Sequence, residues 1–253
     1  MAAQEKVNGE TEHSGTGIKI EGPSRREAPR MFDRIARRYD LLNRLLSLRQ
    51  DVRWRKRMAR ELPPYDDLMV LDLATGTADV LLTLKKKCPR VRCCMGIDPA
   101  RKMLDIGREK IRARGWEDHI MLLPADAMYL PFRNEWFDVV TIAFGIRNVP
   151  DVLAGLREMH RVLRPGGRAL ILEFSLPRPT WFRNLYLFYF RNVLPKIGGI
   201  ISGDNYAYQY LNKTVETFPY GEEFTALMAQ AGFINLRHIE MTFGIATLYV
   251  GEK

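Results

Sequence analysis

The sequence has few cysteines and no cluster of metal-binding side chains. Only Cys88, Cys93 and Cys94 occur among its 253 residues, too few for a disulfide-stabilised scaffold. No histidine stands at zinc-ligand spacing from them, so no metal site is predicted. Because a chain without disulfides suits a reducing environment, we expect a cytoplasmic protein.

Long apolar runs are also missing. No stretch approaches the roughly 20 apolar residues of a membrane-spanning helix, and the polar N-terminus lacks the apolar centre of a signal peptide. We interpret residues 1–30 as a mobile polar tail and residues 31–253 as one large α/β domain. The hydrophobic content of 46% can supply a full core, which argues against extended disorder.

Acidic residues are outnumbered by basic ones. Lysine and arginine total 39 against 30 aspartate and glutamate residues, for a formal net charge of +9. This balance predicts an anionic partner, such as nucleic acid, an acidic membrane surface or a phosphate, without choosing among them. Several arginines lie in "MFDRIARRYDLLNRLL", a predicted helix whose apolar face has Ile35, Tyr39, Leu42 and Leu46 at helical spacing.

Short apolar runs alternate with helix-like segments from residue 68 onward. The five runs read as strands are "LMVLDL", "RCCMGID", "HIMLLPAD", "FDVVTIAFG" and "RALILEF". Such alternation predicts an α/β fold with a doubly wound, parallel sheet. Near the C-terminus, "FINLRHIE" and "FGIATLYV" are separated by only two residues, which predicts an antiparallel hairpin at one edge of the sheet.

One segment stands outside this alternation. Residues 177–219 are rich in aromatic side chains, including Trp181, Phe182, Tyr186, Phe188, Tyr189 and Phe190. We expect helices here that pack over one end of the sheet and cover a substrate. The alternative is ordinary core packing, because aromatic-rich helices usually pack inward.

The loop after the first strand has one glycine where a dinucleotide-binding loop has three. "LDLATGTADV" contains Gly76 but no G-x-G-x-x-G pattern, which argues against an NAD-dependent dehydrogenase. Ligands of open α/β sheets bind at the carboxyl ends of strands. The loop, with Asp72, Thr75 and Thr77 as polar side chains, instead suits a ligand without phosphates, such as a nucleoside that bears an amino acid.

Acidic residues also end the next two strands. Asp98 is placed to bind the two hydroxyls of a ribose, and Asp126 with the backbone N–H of Ala127 is placed to recognise an adenine edge. Taken alone, Asp72 or Asp98 could cap a helix. Acids at three successive strand ends, which also suit a positive sulfonium, favour S-adenosylmethionine (SAM) as the cofactor.

Longer stretches resemble the quinone-biosynthesis C-methyltransferases. They include "MFDRIARRYDLLNRLLS", "LDLATGTAD", "GIDPARKMLDIGREK" and, more specifically, "FGIRNVPD" and "LPKIGGIISGD". That family methylates demethylmenaquinol to menaquinol, or a polyprenyl methoxy-benzoquinol on the ubiquinone route. The resemblance, from about Met31 to Lys253, implies the class I SAM-dependent methyltransferase (Rossmann-like) fold with seven strands, SAM as cofactor and a polyprenyl quinol as substrate.

The resemblance also implies particular site residues. It places cofactor contacts at five positions: Thr77, Asp98, Asp126, Ala127 and Ala143. Two departures stand out. Ala78 replaces a glycine of the family's loop, which is tolerable only if its φ is negative. Ala143 stands where the family often has serine, so any side-chain hydrogen bond there is lost.

Arg147 and Asn148, in "GIRN" after the fourth strand, are the predicted catalytic residues. Because a neutral hydroquinone carbon is a poor nucleophile, methyl transfer to it requires a phenolate. Arg147 stays protonated and would stabilise that phenolate, while Asn148 would orient the ring or a water. The alternative roles are structural: an ion pair for Arg147 and a capped turn for Asn148. Candidate proton acceptors are Asp126, Tyr39 and a water relay.

Two further expectations concern partners. The aromatic segment and the basic first helix are expected to form a lid against an anionic membrane surface, on the inner face of the cytoplasmic membrane. The rival functions are an O- or N-methyltransferase of another hydrophobic small molecule and a nucleic-acid-binding module. No nucleic acid partner is expected, because the aromatic segment has a helical pattern rather than that of a stacking sheet.

Overall fold

The computed structural model describes residues 25–194 and 205–253, and its centre is a seven-stranded sheet. In space the strands lie in the order β3-β2-β1-β4-β5-β7-β6. Their bounds are β1 Leu68–Leu73, β2 Val91–Ile97, β3 Ile120–Leu123, β4 Phe137–Ala143, β5 Leu163–Phe174, β6 Ile234–Met241 and β7 Ala246–Glu252. The first five strands pair in parallel, while β7 is antiparallel to both β5 and β6. The predicted sheet and its edge hairpin are confirmed.

Eight α-helices accompany the sheet in the described part of the chain. Their bounds are α1 Ala28–Leu46, α2 Gln50–Met58, α3 Asp79–Lys87, α4 Arg101–Arg112, α5 Val152–Val162, α6 Thr180–Phe188, α7 Asn205–Thr217 and α8 Glu222–Gln230. Asp151 caps α5, because its carboxylate accepts a hydrogen bond from the Ala154 N–H at 3.0 Å. Within residues 25–194 and 205–253, no helix combines the length and apolarity that a membrane crossing requires.

The central strands are apolar on both sides because helices cover both faces of the sheet. On one face, Val70 and Val139 pack with side chains of α2, α3 and α4, such as Leu81. On the other face, Leu71 and Val140 pack with α5 and α8. The central strands are thereby fixed between two cores, which leaves their ends for ligands.

The first helix begins earlier than the sequence predicts. Pro29 lies in the first turn of α1, where a missing N–H costs nothing, and both Arg25 and Ala28 are buried. Residues 25–30 are therefore part of the folded chain, while residues 1–24 of the predicted tail lie outside the described residues. Ile35 and Leu42 are buried as expected; the side chain of Leu46 is outside the described part.

The segment after β5 is helical, as expected. α6 continues into a π-helical turn at Tyr189–Val193, and α7 follows. Residues 195–204, which hold most of the motif "LPKIGGIISGD", lie outside the described residues. α1, this turn and α7 share an apolar cluster that includes Met31, Phe190 and Tyr210. Since Phe174 at the end of β5 packs against the same cluster, these elements lie beside the carboxyl ends of the strands.

Candidate active site

The loop after β1 follows an unusual backbone path. Ala74, Gly76 and Ala78 have φ angles of 47°, 55° and 65°, a region that favours glycine. The Thr75 N–H donates to the Ile97 carbonyl at 2.9 Å, and the Ala78 N–H donates to the Thr75 carbonyl at 2.9 Å. Ala78, where the family has glycine, therefore lies in the strained conformation rather than at a negative φ.

Two glycines let neighbouring strands and loops approach this loop closely. A Cβ on Gly145, just after β4, would lie 2.5 Å from the Cβ of Ala74. A Cβ on Gly96 in β2 would lie 2.8 Å from the hydroxyl of Thr75. Both distances are far inside van der Waals contact, so only glycine fits at either position.

Asp98 links the loops after β1 and β2. Its Oδ2 accepts a hydrogen bond from the Gly76 N–H at 2.9 Å, and its Oδ1 accepts one from the Ala100 N–H at 2.8 Å. Burial raises the pKa of this carboxyl to about 6, although the two N–H donors oppose that shift. Ala100 is also the N-cap residue of α4, so Asp98 organises the start of that helix as well as the site.

Three of the predicted cofactor residues lie beneath the site. The side chains of Asp72, Thr75 and Thr77 are buried and are not part of the cavity wall. The Thr141 hydroxyl donates to Asp72 at 2.5 Å, and burial raises the pKa of Asp72 to about 7. Their contacts with a cofactor stay predictions; in the protein alone they support the loop from below.

A cavity of about 580 Å³ lies at the carboxyl edge of β1 to β4. This is where strand order reverses between β1 and β4, the usual ligand position in such sheets. Its wall brings together six of the predicted site residues: Gly76, Asp98, Asp126, Ala127, Ala143 and Asn148. Residues from the start of α1, among them Arg25 and Phe32, close one side.

The predicted adenine-binding end of this cavity is the most exposed. Asp126 is exposed, and its Oδ1 accepts a hydrogen bond from the Met128 N–H at 2.8 Å. That bond fixes the carboxylate in a tight turn and leaves Oδ2 directed to other partners. Ala127 and Ala143 are half-buried, and neither side chain can offer a hydrogen bond.

A second cavity of about 400 Å³ adjoins the first. Its wall is mainly apolar and aromatic, and it includes Trp54, Phe174, Phe182, Tyr186, Tyr189 and Phe190. Phe32, Tyr39 and Phe144 belong to the walls of both cavities. A cavity with carboxylates in its wall and a more apolar cavity therefore meet across three aromatic residues.

Arg147 reaches the apolar cavity from the turn after β4. It is buried, and its Nη1 donates to the Phe144 carbonyl at 2.6 Å and to Oε1 of Glu173 at 2.7 Å. Arg147 therefore forms an ion pair with a nearby acid, which is the structural alternative to a catalytic role. Nε of Arg147 is buried without any hydrogen-bond partner in residues 25–194 and 205–253, and other atoms of the residue line the apolar cavity.

Asn148 and Tyr39 complete the boundary between the cavities. Asn148 lines the larger cavity, and its Oδ1 accepts a hydrogen bond from the hydroxyl of Tyr210 at 3.1 Å. Burial raises the pKa of Tyr39, an effect that Asn43, Arg147 and Arg55 only partly offset. The Tyr39 hydroxyl is therefore protonated at neutral pH and acts as a hydrogen-bond donor rather than a base.

Sequence reasoning did not single out Glu173 or Phe144. Glu173 is almost fully buried and ends the apolar run "RALILEF", just as Asp72 ends "LMVLDL". That parallel was a usable signal, because a carboxylate at the end of a buried strand needs a partner. Phe144 has a φ of 56°, which no local pattern indicates.

Comparison with known proteins decides the family. A sequence model of the ubiE/COQ5 methyltransferase family matches residues 23–253. The chain belongs to the ubiE/COQ5 methyltransferase family. The family resemblance found in the sequence is thereby confirmed, together with the prediction of a SAM-dependent methyltransferase.

Several relatives are similar to this ubiE/COQ5 family member along most of its length. A ubiquinone/menaquinone biosynthesis C-methyltransferase from Geotalea uraniireducens is 49% identical over 223 residues, which cover 88% of this chain and 94% of the relative. A demethylmenaquinone methyltransferase from Thermus thermophilus is 49% identical over 226 residues, which cover 88% of this chain and all (100%) of the relative.

Solved structures share the fold at low sequence identity. A SAM-dependent methyltransferase from Thermotoga maritima aligns with a TM-score of 0.63 and 20% identity over 88% of this chain and 98% of that one. A SAM-dependent methyltransferase from Methanococcus maripaludis aligns with a TM-score of 0.58 and 14% identity over 95% of this chain and 97% of that one. These likenesses confirm the class I methyltransferase fold.

Proposed function

We propose that the protein transfers the methyl group of SAM to a ring carbon of a polyprenylated quinol, either demethylmenaquinol or a methoxy-benzoquinol. Its relatives are named for such C-methylations. The observation that carries the proposal is the meeting of two cavities: one with carboxylates at its wall and one lined by aromatic side chains, with Arg147 in the second. A cationic cofactor suits the first, and a flat apolar ring suits the second.

The residues of the larger cavity fit SAM. Asp98 would accept hydrogen bonds from the ribose hydroxyls, and Asp126 with Ala127 would contact the adenine. The backbone at Gly76 passes close to the cavity because no side chain intervenes. When bound, SAM supplies an electrophilic methyl group on a positive sulfur. The protein's own contribution is to hold this group beside the wall formed by Phe32, Tyr39 and Phe144.

The apolar cavity provides the environment that a quinol ring requires. Arg147 lines this cavity and carries the positive charge that favours an ionised ring hydroxyl. The low-polarity surroundings strengthen that interaction. The phenolate would place electron density on the adjacent ring carbon, and the two cavities would hold that carbon toward the methyl donor. Once the carbon is methylated, loss of its remaining hydrogen as a proton would restore the aromatic ring.

The hydroxyl proton must leave the ring without a nearby strong base. Tyr39 lies between the two cavities, but it is itself protonated and so donates to the ring or to a water. Asp126 lines only the larger cavity. We therefore favour a water relay that passes Tyr39 and ends in the solvent or on Asp126.

The described helices of the segment 177–219, at Thr180–Phe188, Tyr189–Val193 and Asn205–Thr217, would cover the substrate. Phe182, Tyr186 and Tyr189 turn toward the apolar cavity, while Trp181 and Phe188 on the same segment are 73% and 62% exposed. The segment thus has an inner aromatic face for the ring and prenyl tail and an outer apolar face. An outer apolar face at the mouth of a lipid-binding cavity suits contact with a membrane surface.

Exposed cations lie on α1 and around the start of α2, two helices that also line the apolar cavity. Arg37 on α1 and Arg49 and Arg53 around the start of α2 are exposed, and Leu48 at the end of α1 is both exposed and part of the apolar cavity wall. Each basic side chain near an anionic bilayer adds about 1 kcal/mol of attraction. A peripheral position on an anionic membrane would let a quinol enter without crossing water.

Restoration of quinone synthesis tests the function in a cell. The gene is expressed in a bacterium whose own demethylmenaquinone methyltransferase has been deleted, and the lipids are extracted. We expect menaquinone to reappear and the desmethyl quinone to decline. If the desmethyl quinone persists while a new ether or amine methyl appears in another lipid, the rival O- or N-methyltransferase is correct.

A further inference from the structure

The guanidinium of Arg147 is held from two sides. Nη1 donates to the Phe144 carbonyl at 2.6 Å and to Oε1 of Glu173 at 2.7 Å. Its central carbon also lies 5.3 Å from the centre of the Phe174 ring, a distance suited to a cation–π contact. Because Nη1 is fully engaged, the direction of the unpaired Nε is fixed by these three neighbours.

Glu173 is itself fixed by the backbone around it. Its Oε1 also accepts a hydrogen bond from the Phe174 N–H at 2.8 Å, and its Oε2 lies 3.4 Å from the Arg147 N–H. The side chain is only 1% exposed and does not form part of either cavity wall. It therefore cannot touch a substrate in either cavity, although it touches the residue that can.

We propose that Glu173 is a positioning residue, which orients Arg147 so that its guanidinium faces the substrate hydroxyl in the apolar cavity. This inference rests on the proposed function of that cavity. An arginine without a partner on Nη1 would rotate about its side-chain bonds, and its charge would no longer face one ring oxygen. Displacement of a catalytic donor by about 1 Å can cost on the order of a hundredfold in rate.

A double-mutant comparison tests whether Glu173 acts through Arg147. The four proteins are E173Q, E173A, R147Q/E173Q and R147Q/E173A, none of which leaves a buried carboxylate without a partner. E173Q keeps an oxygen that accepts from Nη1, so we expect kcat within about fivefold of the unaltered protein. E173A removes that oxygen, and we expect kcat to fall about tenfold or more below E173Q, with the KM for SAM unchanged.

The difference in kcat between glutamine and alanine at position 173 should disappear once Arg147 is replaced. In the R147Q background, we expect E173Q and E173A to have kcat values within about twofold of each other. An equal loss in both backgrounds would overturn the inference, because Glu173 would then act independently of Arg147. An equal kcat for E173Q and E173A in the Arg147 background would overturn it as well.

Two controls separate this result from a failure of the proposed function. E240Q removes a carboxylate from the surface pair that Glu240 forms with Arg178, and we expect it to leave kcat unchanged. R147Q/E173Q should lower kcat about a hundredfold with a short-chain demethylmenaquinol as the substrate. If that double variant keeps full activity, the role proposed for Arg147 fails, whatever Glu173 does.

Discussion

Ala78 has a backbone φ of 65°. For a residue with a Cβ, this left-handed conformation is unfavourable by roughly 1–2 kcal/mol. Ala78→Gly would remove that cost and lose one buried methyl group, worth about 0.8 kcal/mol. We therefore expect its free energy of unfolding to rise by roughly 0.2–1.2 kcal/mol, as measured by urea denaturation.

Ala36→Gly provides the matched control for this prediction. Ala36 is also buried, but it lies inside α1, where glycine costs about 1 kcal/mol relative to alanine in addition to the lost methyl. We expect a loss of roughly 1.5–2 kcal/mol there. If the two variants lose equal stability, the loop after β1 is not strained at Ala78.

We expect Asp98 to make cofactor binding dependent on pH. Burial raises its pKa to about 6, and the ionised carboxylate is the better acceptor for ribose hydroxyls. We therefore expect the affinity for S-adenosylhomocysteine to be constant above pH 7 and to fall as the pH drops below about 6. Calorimetric titrations at several pH values measure this dependence.

The variant Asp98→Asn distinguishes the contribution of Asp98 from that of its neighbour Asp72. Burial raises the pKa of Asp72 to about 7. An amide at position 98 keeps only one acceptor for the two backbone N–H donors, and it carries no charge. We expect about 10- to 100-fold weaker binding, from roughly 1.5–3 kcal/mol of lost charged hydrogen bonds, and a flatter pH profile. If the affinity of Asp98→Asn for S-adenosylhomocysteine depends on pH as strongly as that of the original protein, another group causes the dependence.

Some residues of the site follow from the sequence, and others do not. Asp98 and Asp126 could be predicted because each ends an apolar strand, and parallel strands bring their carboxyl ends to one edge. The pairing of Arg147 with Glu173 could not, since it depends on the register of two neighbouring strands. The positive φ angles of Ala74 and Phe144 could not be predicted either, because that conformation is normally indicated by a glycine and neither residue is one.

At the scale of elements, α1 is attached to the cofactor loop by a polar network. Lys110 of α4 forms ion pairs with Asp40 of α1 and Asp79 of α3 and also donates to the Thr77 hydroxyl at 2.8 Å. The same hydroxyl donates to Asp40 at 2.6 Å. Because the start of α1 closes the larger cavity, this network holds the helix over the proposed cofactor site.

Removal of the central lysine should loosen that closure. We expect Lys110→Met to release S-adenosylhomocysteine about three- to tenfold faster, since a partly buried ion pair contributes on the order of 1 kcal/mol. Arg108→Met on the same helix is the control, because Arg108 pairs with Asp105 of α4 itself. The release rates are measured by stopped-flow displacement. Equal rates for the two variants would show that the network around Lys110 does not contribute to cofactor retention.

Elements were easier to predict than their ends. The strands and helices of the sheet have clear apolar periods, and Asp151 marks the start of α5 as its position predicts. The start of α1 at Ala28 was missed because "SRREAPR" is polar, and only its contacts with the rest of the chain bury Arg25 and Ala28. The π-helical turn at Tyr189–Val193 likewise has no local signature.

At the scale of the whole molecule, the exposed apolar side chains around the second cavity suit a membrane surface. We expect the protein to float with vesicles that contain anionic lipid and to float less with neutral vesicles. Joint replacement of Trp181 and Phe188 by serine should reduce flotation. Met121→Ser is the control, because Met121 is 51% exposed on β3 at the far edge of the sheet. Flotation with neither vesicle would refute a membrane role.

In the proposed reaction, a methyl group passes from the cavity that contains Asp98 and Asp126 to a ring carbon in the apolar cavity. The most direct measurement supplies the protein with SAM labelled with ¹³C at the methyl group and a short-chain demethylmenaquinol, and then records the ¹³C spectrum of the product. The account predicts one new signal from a methyl group on a ring carbon. A signal from a methyl group on oxygen or nitrogen, or an unlabelled quinol, would contradict it.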